Sequence, residues 1–255
     1  MIFDSHAHYD DKAFDNDREE LLERLFSSSV CNVINVGCSI ETSKKSIELS
    51  KKYTQIFASI GVHPLEIKDS PKNYIEILKN LSTNPKVVAI GEIGLDYHYD
   101  DAPSSEIQKQ VFELQLKLAK DLDLPVIIHS RESTKDTLDI LKKYKPKGVV
   151  HCFSGSLETA NEILNLGMYI GLGGTVTFKN AKNPINVAKN IPLDKLLLET
   201  DAPYMSPVPF RGKRCDSSLI KYTAKKICEI RNINFDYLLN QTKNNAEKLF
   251  LSNKK

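Results

Sequence analysis

Side chains that commonly bind metal ions occur where buried strands of this sequence would end. Four of its six histidines follow apolar runs typical of β-strands, namely His6, His8, His129 and His151. Two carboxylates have the same kind of position, since Glu92 follows VVAIG and Asp201 follows KLLLET. A single histidine is more often a satisfied core residue, but a set of imidazoles and carboxylates at strand ends suits Zn, Mn or another transition ion. The pattern predicts a metal-dependent hydrolase.

Eight short apolar runs could supply the strands that position these residues. They are MIFDSH, CNVINVG, IFASIGV, VVAIGEIG, PVIIH, GVVHCF, MYIGLGG and LLLETD. Runs without polar alternation are typical of parallel strands buried on both faces, and eight β/α repeats predict an α/β fold of the TIM-type (β/α)8 class. An open doubly wound sheet is the main alternative, but no GxGxxG follows a strand.

The length of 255 residues matches such a barrel, which has roughly 250 residues, so we expect one domain over residues 1–255. The segment 105–122 has helical spacing at Ile107, Val111, Leu114, Leu118 and Leu122. Ser105 and Gln108 there form a possible capping box. Two extra C-terminal helices, about 216–231 and 234–251, are expected to pack on the outside.

In such a barrel the carboxyl ends of all the strands meet on one face, so the candidate ligands should converge there. His6 and His8 are two residues apart, and the period of a strand turns both side chains to the same side. We therefore expect these two histidines to share one cation.

Six motifs in order, FDSHAH, GVHP, GEIGLDY, HSR, HCFSG and ETDAPY, make the sequence resemble the TatD family of metal-dependent hydrolases, within the amidohydrolase superfamily. The resemblance covers essentially the whole chain. It implies a barrel with two divalent cations, whose identity (Mg, Mn or Zn) stays open, and hydrolysis of phosphodiester bonds, typically as a deoxyribonuclease.

The resemblance also implies roles for individual residues. His6 and His8 would bind one metal, His129 and His151 the second, and Glu92 would bridge them. Asp201 would bind a metal and accept the proton of the attacking water. His63 in GVHP would contact the substrate phosphate, and further donors on the same face are Arg131, Arg211 and Arg214. The segment after Arg214 departs from the common GKRNEP motif at Cys215, Asp216 and Ser217, which affects substrate positioning more than metal binding.

Three functions remain open from the sequence. The first is a metal-dependent DNase acting at strand ends, since a barrel mouth surrounded by loops admits a frayed or single-stranded terminus more readily than a continuous duplex. The second is an ester or amide hydrolase of the amidohydrolase type, for example for an aminoacyl ester at an RNA end. The third is a non-enzymatic barrel with structural metals.

Composition limits the partners and the compartment. A net charge of +2 and a pI near 8.1 fall short of a dedicated nucleic-acid-binding module, for which the pI exceeds about 9, so contacts with DNA must be local. We find no signal peptide and no apolar run of the roughly 18 residues that span a membrane. Five cysteines without a CxxC pair favour a reducing cytoplasm. No obligatory protein partner is inferred.

Overall fold

The protein is described here from a computed structural model that covers residues 1–252. All eight predicted strands are present and form one sheet in chain order, each parallel to the next. They are β1 (Ile2–Ala7), β2 (Val30–Val36), β3 (Ile56–Ile60), β4 (Val87–Asp96), β5 (Val126–Arg131), β6 (Gly148–Val150), β7 (Tyr169–Leu172) and β8 (Leu196–Leu198). The predicted domain ended at residue 255, and its last three residues, 253–255, lie outside the described part.

Helices alternate with the strands and surround the sheet. The α-helices are α1 (Arg18–Phe26), α2 (Ile40–Lys52), α3 (Tyr74–Leu81), α4 (Ser105–Asp121), α5 (Thr134–Tyr144), α6 (Leu157–Asn165), α7 (Lys182–Asn190), α8 (Ile220–Arg231) and α9 (Phe235–Phe250). Within residues 1–252, no helix is both long enough and apolar enough to span a membrane.

Polar contacts between β1 and the segment after β8 bring the ends of the sheet together. The two segments share an isolated bridge at Ala7 and Ala202, and the His8 amide donates to the Ala202 carbonyl at 2.7 Å. The buried Asp4 carboxylate accepts hydrogen bonds from the Thr200 and Ser217 hydroxyls, each at 2.7 Å. The sheet thus forms a nearly closed (β/α)8 barrel, which confirms the predicted fold class.

One C-terminal helix differs from its predicted place. Inward-facing strand residues, including Ile127 and Val149, form a core cluster with Ala246 and Phe250 of α9. Residues near the C-terminal end of α9 also lie beside Pro125 and Gly148, at the start of β5 and β6. α9 therefore lies across the N-terminal end of the barrel instead of packing only on its outside, because its two apolar side chains fill that end of the interior.

The segment predicted as a helix is present as α4, and Leu118 of its predicted apolar face is buried, but two other residues of that face and the predicted cap differ. Ile107 and Leu114 are exposed, whereas Gln108, Gln115 and Phe112 are buried. Gln115 hydrogen-bonds both the amide and the carbonyl of Val62, and Gln108 does the same for Asp96. The N-cap is Ser104, which accepts from the Ile107 amide. The side of α4 that faces the barrel carries these glutamines because they hydrogen-bond the backbone at Val62 and Asp96. The spacing of apolar residues does not reveal such hydrogen bonds.

We expect Gly94→Ala to destabilise the fold strongly. Gly94 has φ +146°, and an added Cβ would lie 2.0 Å from the backbone carbonyl oxygen of His129 on the neighbouring strand. The free energy of unfolding in urea should fall by at least about 3 kcal/mol. Gly167→Ala is the matched control, because Gly167 has φ +85° and open space around it, and it should cost only about 1 to 2 kcal/mol. Equal losses of unfolding free energy in the two variants would show that the close approach of β4 and β5 at Gly94 does not cause the destabilisation.

Candidate metal centre

The first group of ligand atoms lies where β1, β4 and the segment after β8 meet. It consists of His6 Nε2, His8 Nε2, Glu92 Oε2 and Asp201 Oδ1. Five of the distances among these four atoms lie between 3.1 and 3.8 Å. Four ligands placed about 2.1 Å from a zinc ion in a tetrahedron are about 3.4 Å apart. His6, His8 and Glu92 therefore have the spacing of ligands of one cation, and Asp201 lies beside the two histidines as a further candidate ligand.

The second group uses the other oxygen of the same carboxylate. Glu92 Oε1 lies 3.0 Å from His129 Nδ1 and 2.8 Å from His151 Nε2, and the two imidazole nitrogens are 3.5 Å apart. Both triads, His6 with His8 and Glu92, and Glu92 with His129 and His151, have the composition of a metal site. All six residues predicted as ligands are thus together, with Glu92 between the two histidine pairs.

Two of the four imidazoles have hydrogen bonds that orient them. His8 Nδ1 lies 2.8 Å from the Val36 carbonyl oxygen and must donate to it. His129 Nε2 lies 3.0 Å from Oδ2 of Asp96, a residue buried to 1% exposure. A histidine that donates from one ring nitrogen presents the lone pair of the other. These contacts direct His8 Nε2 and His129 Nδ1 towards Glu92.

His6 and His151 have a different environment. Their rings stack with centroids 3.9 Å apart, and the Nδ1 atoms of both are buried without a hydrogen-bond partner among the described residues. Glu199 lies beside them: its Oε1 is 3.8 Å from His151 Nδ1, and its Oε2 is also unpaired. One ligand atom from each of the three residues lies within 4.8 Å of the others. Glu199 is thus a carboxylate beside both rings, although at 3.8 Å it forms no hydrogen bond with His151 Nδ1.

The backbone makes room for Glu199. A Cβ on Gly171 would lie 2.4 Å from Glu199 Oε2 and 3.1 Å from the His151 Cα. The space beside Gly171 is therefore occupied by this carboxylate. The backbone amide of Cys152 donates to Glu199 Oε1, which fixes the side chain below the metal centre.

The charges at the centre are coupled. Burial alone would raise the pKa of Glu92, but the charge of His151 and the hydrogen bonds from His129 and His151 hold that pKa well below its usual value. Burial disfavours a charged His129, yet its hydrogen bonds to Asp96 and Glu92 raise its pKa to about 9. Burial lowers the pKa of His6 to about 4. Glu92 is thus an ionised carboxylate, while His6 offers a neutral ring suited to binding a cation.

His63 lies beside the second group and presents a donor to it. Its Nδ1 accepts from the Leu65 amide at 3.2 Å, so in the neutral ring Nε2 carries the proton. That Nε2 lies 3.7 Å from Glu92 Oε1, and burial lowers the pKa of His63 to about 3, which keeps the ring neutral. His63 can therefore donate a hydrogen bond to a group bound at the centre.

The three predicted arginines have different environments. Arg131 is exposed and donates to the Tyr99 hydroxyl at 3.1 Å, and Arg211 is exposed above the ring of Phe178. Arg214 instead forms two hydrogen bonds to the Asp17 carboxylate, at 2.7 and 2.5 Å, and a third to the Ala13 carbonyl. Its guanidinium is occupied by α1 and the preceding loop, so Arg131 and Arg211 are better placed to meet a substrate.

Sequence reasoning missed three residues at the centre: Asp96, Glu199 and Cys38. The Cys38 thiol lies 3.5 Å from Glu92 Oε2 and can donate to it. Asp96 and Glu199 lie within the motifs GLDY and ETD, and the position of Glu199 directly after an apolar run, two residues before Asp201, was an available signal. Nothing in the sequence around Cys38 distinguishes it from a packed cysteine.

Fold and site together define the class as a (β/α)8-barrel hydrolase with a histidine and carboxylate metal centre. The family described as TatD related DNase matches residues 3–251. A Bacillus subtilis protein, the uncharacterized metal-dependent hydrolase YabD, is 44% identical over 256 residues, with 99% of this chain and all of that protein covered. The chain belongs to the TatD family of metal-dependent hydrolases.

Two other relatives support this assignment. The 3'-5' ssDNA/RNA exonuclease TatD of Cronobacter sakazakii is 32% identical, with 99% of this chain and 98% of that protein covered. The crystal structure of YjjV, a TatD homologue from Escherichia coli, superposes with a TM-score of 0.92 at 36% identity, covering 98% of this chain and 97% of that one.

We expect Asp96→Asn and Glu199→Gln each to weaken metal binding by about 10- to 100-fold, because both remove a carboxylate that can accept from a ligand histidine. The measurement is calorimetric titration of Zn²⁺ into chelator-treated protein. Glu132→Gln is the matched control, since Glu132 also contacts a histidine, His98 at 2.7 Å, but in an exposed position outside the centre. Unchanged affinity in both variants would contradict the orienting role of these carboxylates.

Proposed function

We propose that this protein is a metal-dependent phosphodiesterase that hydrolyses DNA, acting at single-stranded or frayed ends. The observation that carries the proposal is that Glu92 presents Oε2 to one histidine pair and Oε1 to the other. Two divalent cations held there, as Mg, Mn or Zn, would lower the pKa of bound water, to about 7 in the case of zinc, and would clamp the attacking and leaving oxygens of an in-line displacement.

The side chains around the centre suit the remaining tasks. Asp201 is partly exposed at 16%, and although burial would raise its pKa, the hydrogen bond from His8 and the nearby imidazoles lower it. We assign it the roles of metal ligand and acceptor of the proton from the attacking water. His63 Nε2–H is available to a non-bridging phosphate oxygen, and the substrate-binding roles of Arg131, Arg211 and Arg214 stay predictions, with Arg214 already held by Asp17.

The nucleic-acid substrate is supported by the TatD exonuclease relative, whose name describes activity on ssDNA and RNA, and by the family description. The cytoplasm stays the expected compartment, and all five cysteines are free thiols, which is compatible with it. An aminoacyl ester or amide substrate is the alternative outcome of the assay below.

We expect the wild type to bind two divalent cations per chain and the ligand variants to lose them selectively. His8→Ala and His151→Ala should each retain about one cation, whereas Glu92→Ala should retain neither firmly, because its carboxylate belongs to both groups. Metal content after dialysis, measured by mass spectrometry, checks this. Full metal content in Glu92→Ala would contradict a Glu92 carboxylate shared by two cations. Misfolding is excluded if the melting temperatures of the metal-free wild type and variants agree within a few degrees.

We expect metal-dependent release of nucleotides from single-stranded DNA. Strands labelled at the 3′ or the 5′ end are incubated with chelated protein reloaded with Mg, Mn or Zn, beside Glu92→Ala purified in the same way. The variant should be at least about a thousand-fold slower, since losing several kcal/mol of charge stabilisation costs a factor of ten for each 1.36 kcal/mol. The label released first gives the polarity.

Two outcomes would change this proposal. Cleavage of closed circular single-stranded DNA as fast as linear DNA would remove the preference for ends. No release with any metal, together with rapid turnover of aminoacyl esters, would replace the nuclease by the ester hydrolase.

A further inference from the structure

A cleft of about 490 Å³ lies on the ligand face of the barrel, between the loops that follow β6, β7 and β8. We name it the Phe178 cleft, and the lining residues used below are Ser154, Phe178, Lys179, Lys182, Asn183 and Arg211. Ser154 also lines a neighbouring groove of about 360 Å³ that contains His151 and Arg131. The cleft and this groove therefore share Ser154 as a wall, and the groove is also lined by His151, a candidate ligand of the metal centre.

The Phe178 cleft has positive charge that the protein does not neutralise. Its lining contains Lys179, Lys182 and Arg211 and no aspartate or glutamate. Within residues 1–252, none of these three cations forms an ion pair. Several unpaired cations along a groove are typical of a binding site for a ligand with repeated negative charges.

A larger cleft elsewhere shows that charge alone is not distinctive. The space between α1 and α2 measures about 780 Å³ and is also lined by lysines. There, however, Lys45 pairs with Glu41 at 2.7 Å and Lys51 with Glu48 at 2.8 Å. These cations are compensated within the protein, whereas those of the Phe178 cleft are available to a ligand.

The same cleft presents a flat stacking surface. The guanidinium of Arg211 lies 4.3 Å from the centroid of the Phe178 ring, and Phe178 is half-buried while Arg211 is exposed. Unpaired bases stack on aromatic rings and on arginine planes. The walls are also joined to each other: Asn183 donates to the Ser154 carbonyl at 3.3 Å, and the Val208 amide donates to the Thr177 hydroxyl at 2.9 Å.

We propose that the Phe178 cleft binds the nucleotides of a single-stranded nucleic acid that lie beyond the scissile phosphate. Lys179 and Lys182 contact successive phosphates, and a base stacks against the Arg211 and Phe178 layer. This inference rests on the proposed function, because it assumes that a strand end occupies the metal centre. It gives the enzyme a preference for strands long enough to reach from His151 past Ser154 into the cleft.

The first test measures binding without hydrolysis. A fluorescein-labelled ten-nucleotide DNA strand is titrated with metal-depleted protein in chelator, and anisotropy is followed over a salt series. Lys179→Ala/Lys182→Ala should weaken binding by at least about tenfold at low salt and reduce the slope of log K against log salt by about 1.4, since each lost contact with a single strand contributes about 0.7. Circular dichroism and the melting temperature show that the variant is folded.

The matched control removes the same charge elsewhere. Lys117 and Lys120 are exposed on the outer surface of α4 and, among residues 1–252, form no ion pair. Lys117→Ala/Lys120→Ala should bind the strand with wild-type affinity. An equal loss in both double variants would show a general charge effect and overturn the cleft. Polyglutamate of equal charge, added at equal concentration, should not displace the strand. Displacement would overturn the nucleic-acid assignment of the cleft and favour an acidic peptide as its ligand.

The second test uses hydrolysis of strands of different length. In the wild type, kcat/KM for the ten-nucleotide strand should exceed that for a dinucleotide, and this ratio should shrink about tenfold in Lys179→Ala/Lys182→Ala. If the wild type is active and the double variant keeps the wild-type ratio, the cleft does not bind the strand, and the proposed function stays intact. Wild type that binds the strand through these lysines but hydrolyses no nucleic acid would overturn the proposed function and leave the cleft intact.

Discussion

The Glu92 carboxylate is buried where four strands of the barrel and the segment after β8 bring their ligands together. Burying an isolated carboxylate costs far more than a single contact returns, so its position requires hydrogen-bond donors and positive charge around it. Imidazoles from β1, β5 and β6 supply them, at distances of 2.8 to 3.8 Å. His129 and His151 form hydrogen bonds to Glu92, and bound cations would take the place of the protons in these contacts. The centre therefore depends on the barrel closing tightly enough to compensate this one charge.

Closure is achieved by polar contacts instead of a full β-ladder between β1 and β8. Asp4 is completely buried and accepts hydrogen bonds from Thr200 and Ser217, although burial raises its pKa to about 6. The Asp201 amide donates to the His6 carbonyl at 2.9 Å. Because these contacts lie next to the ligands in the chain, the same hydrogen bonds that join the ends of the sheet also set the distance between His6 and Asp201.

The two sides of the mouth have different tasks. On one side Arg214 is bound to Asp17 and holds the loop after β8 against α1, which is a structural use of a cation. On the other side Lys179, Lys182 and Arg211 have no acidic partner among residues 1–252 and line the Phe178 cleft, which shares Ser154 with the groove beside His151. Charge near the site is thus not uniform: Arg214 holds a loop in place, whereas the three cations of the Phe178 cleft are the ones to which we assign a ligand.

The sequence by itself determined the strands and the convergence of six candidate ligands, because buried parallel strands are continuous apolar runs and a barrel places all their carboxyl ends on one face. The HxH pair followed from the period of a strand. Tertiary structure alone decided which face of α4 is buried, since Gln108 and Gln115 satisfy backbone groups 12 and 53 residues away in the chain. It also decided the place of Glu199, which needs the space left by Gly171. Such contacts join residues that have no regular separation in the chain, so the local sequence pattern does not predict them. The helices and strands, in contrast, follow from the periodic spacing of apolar residues.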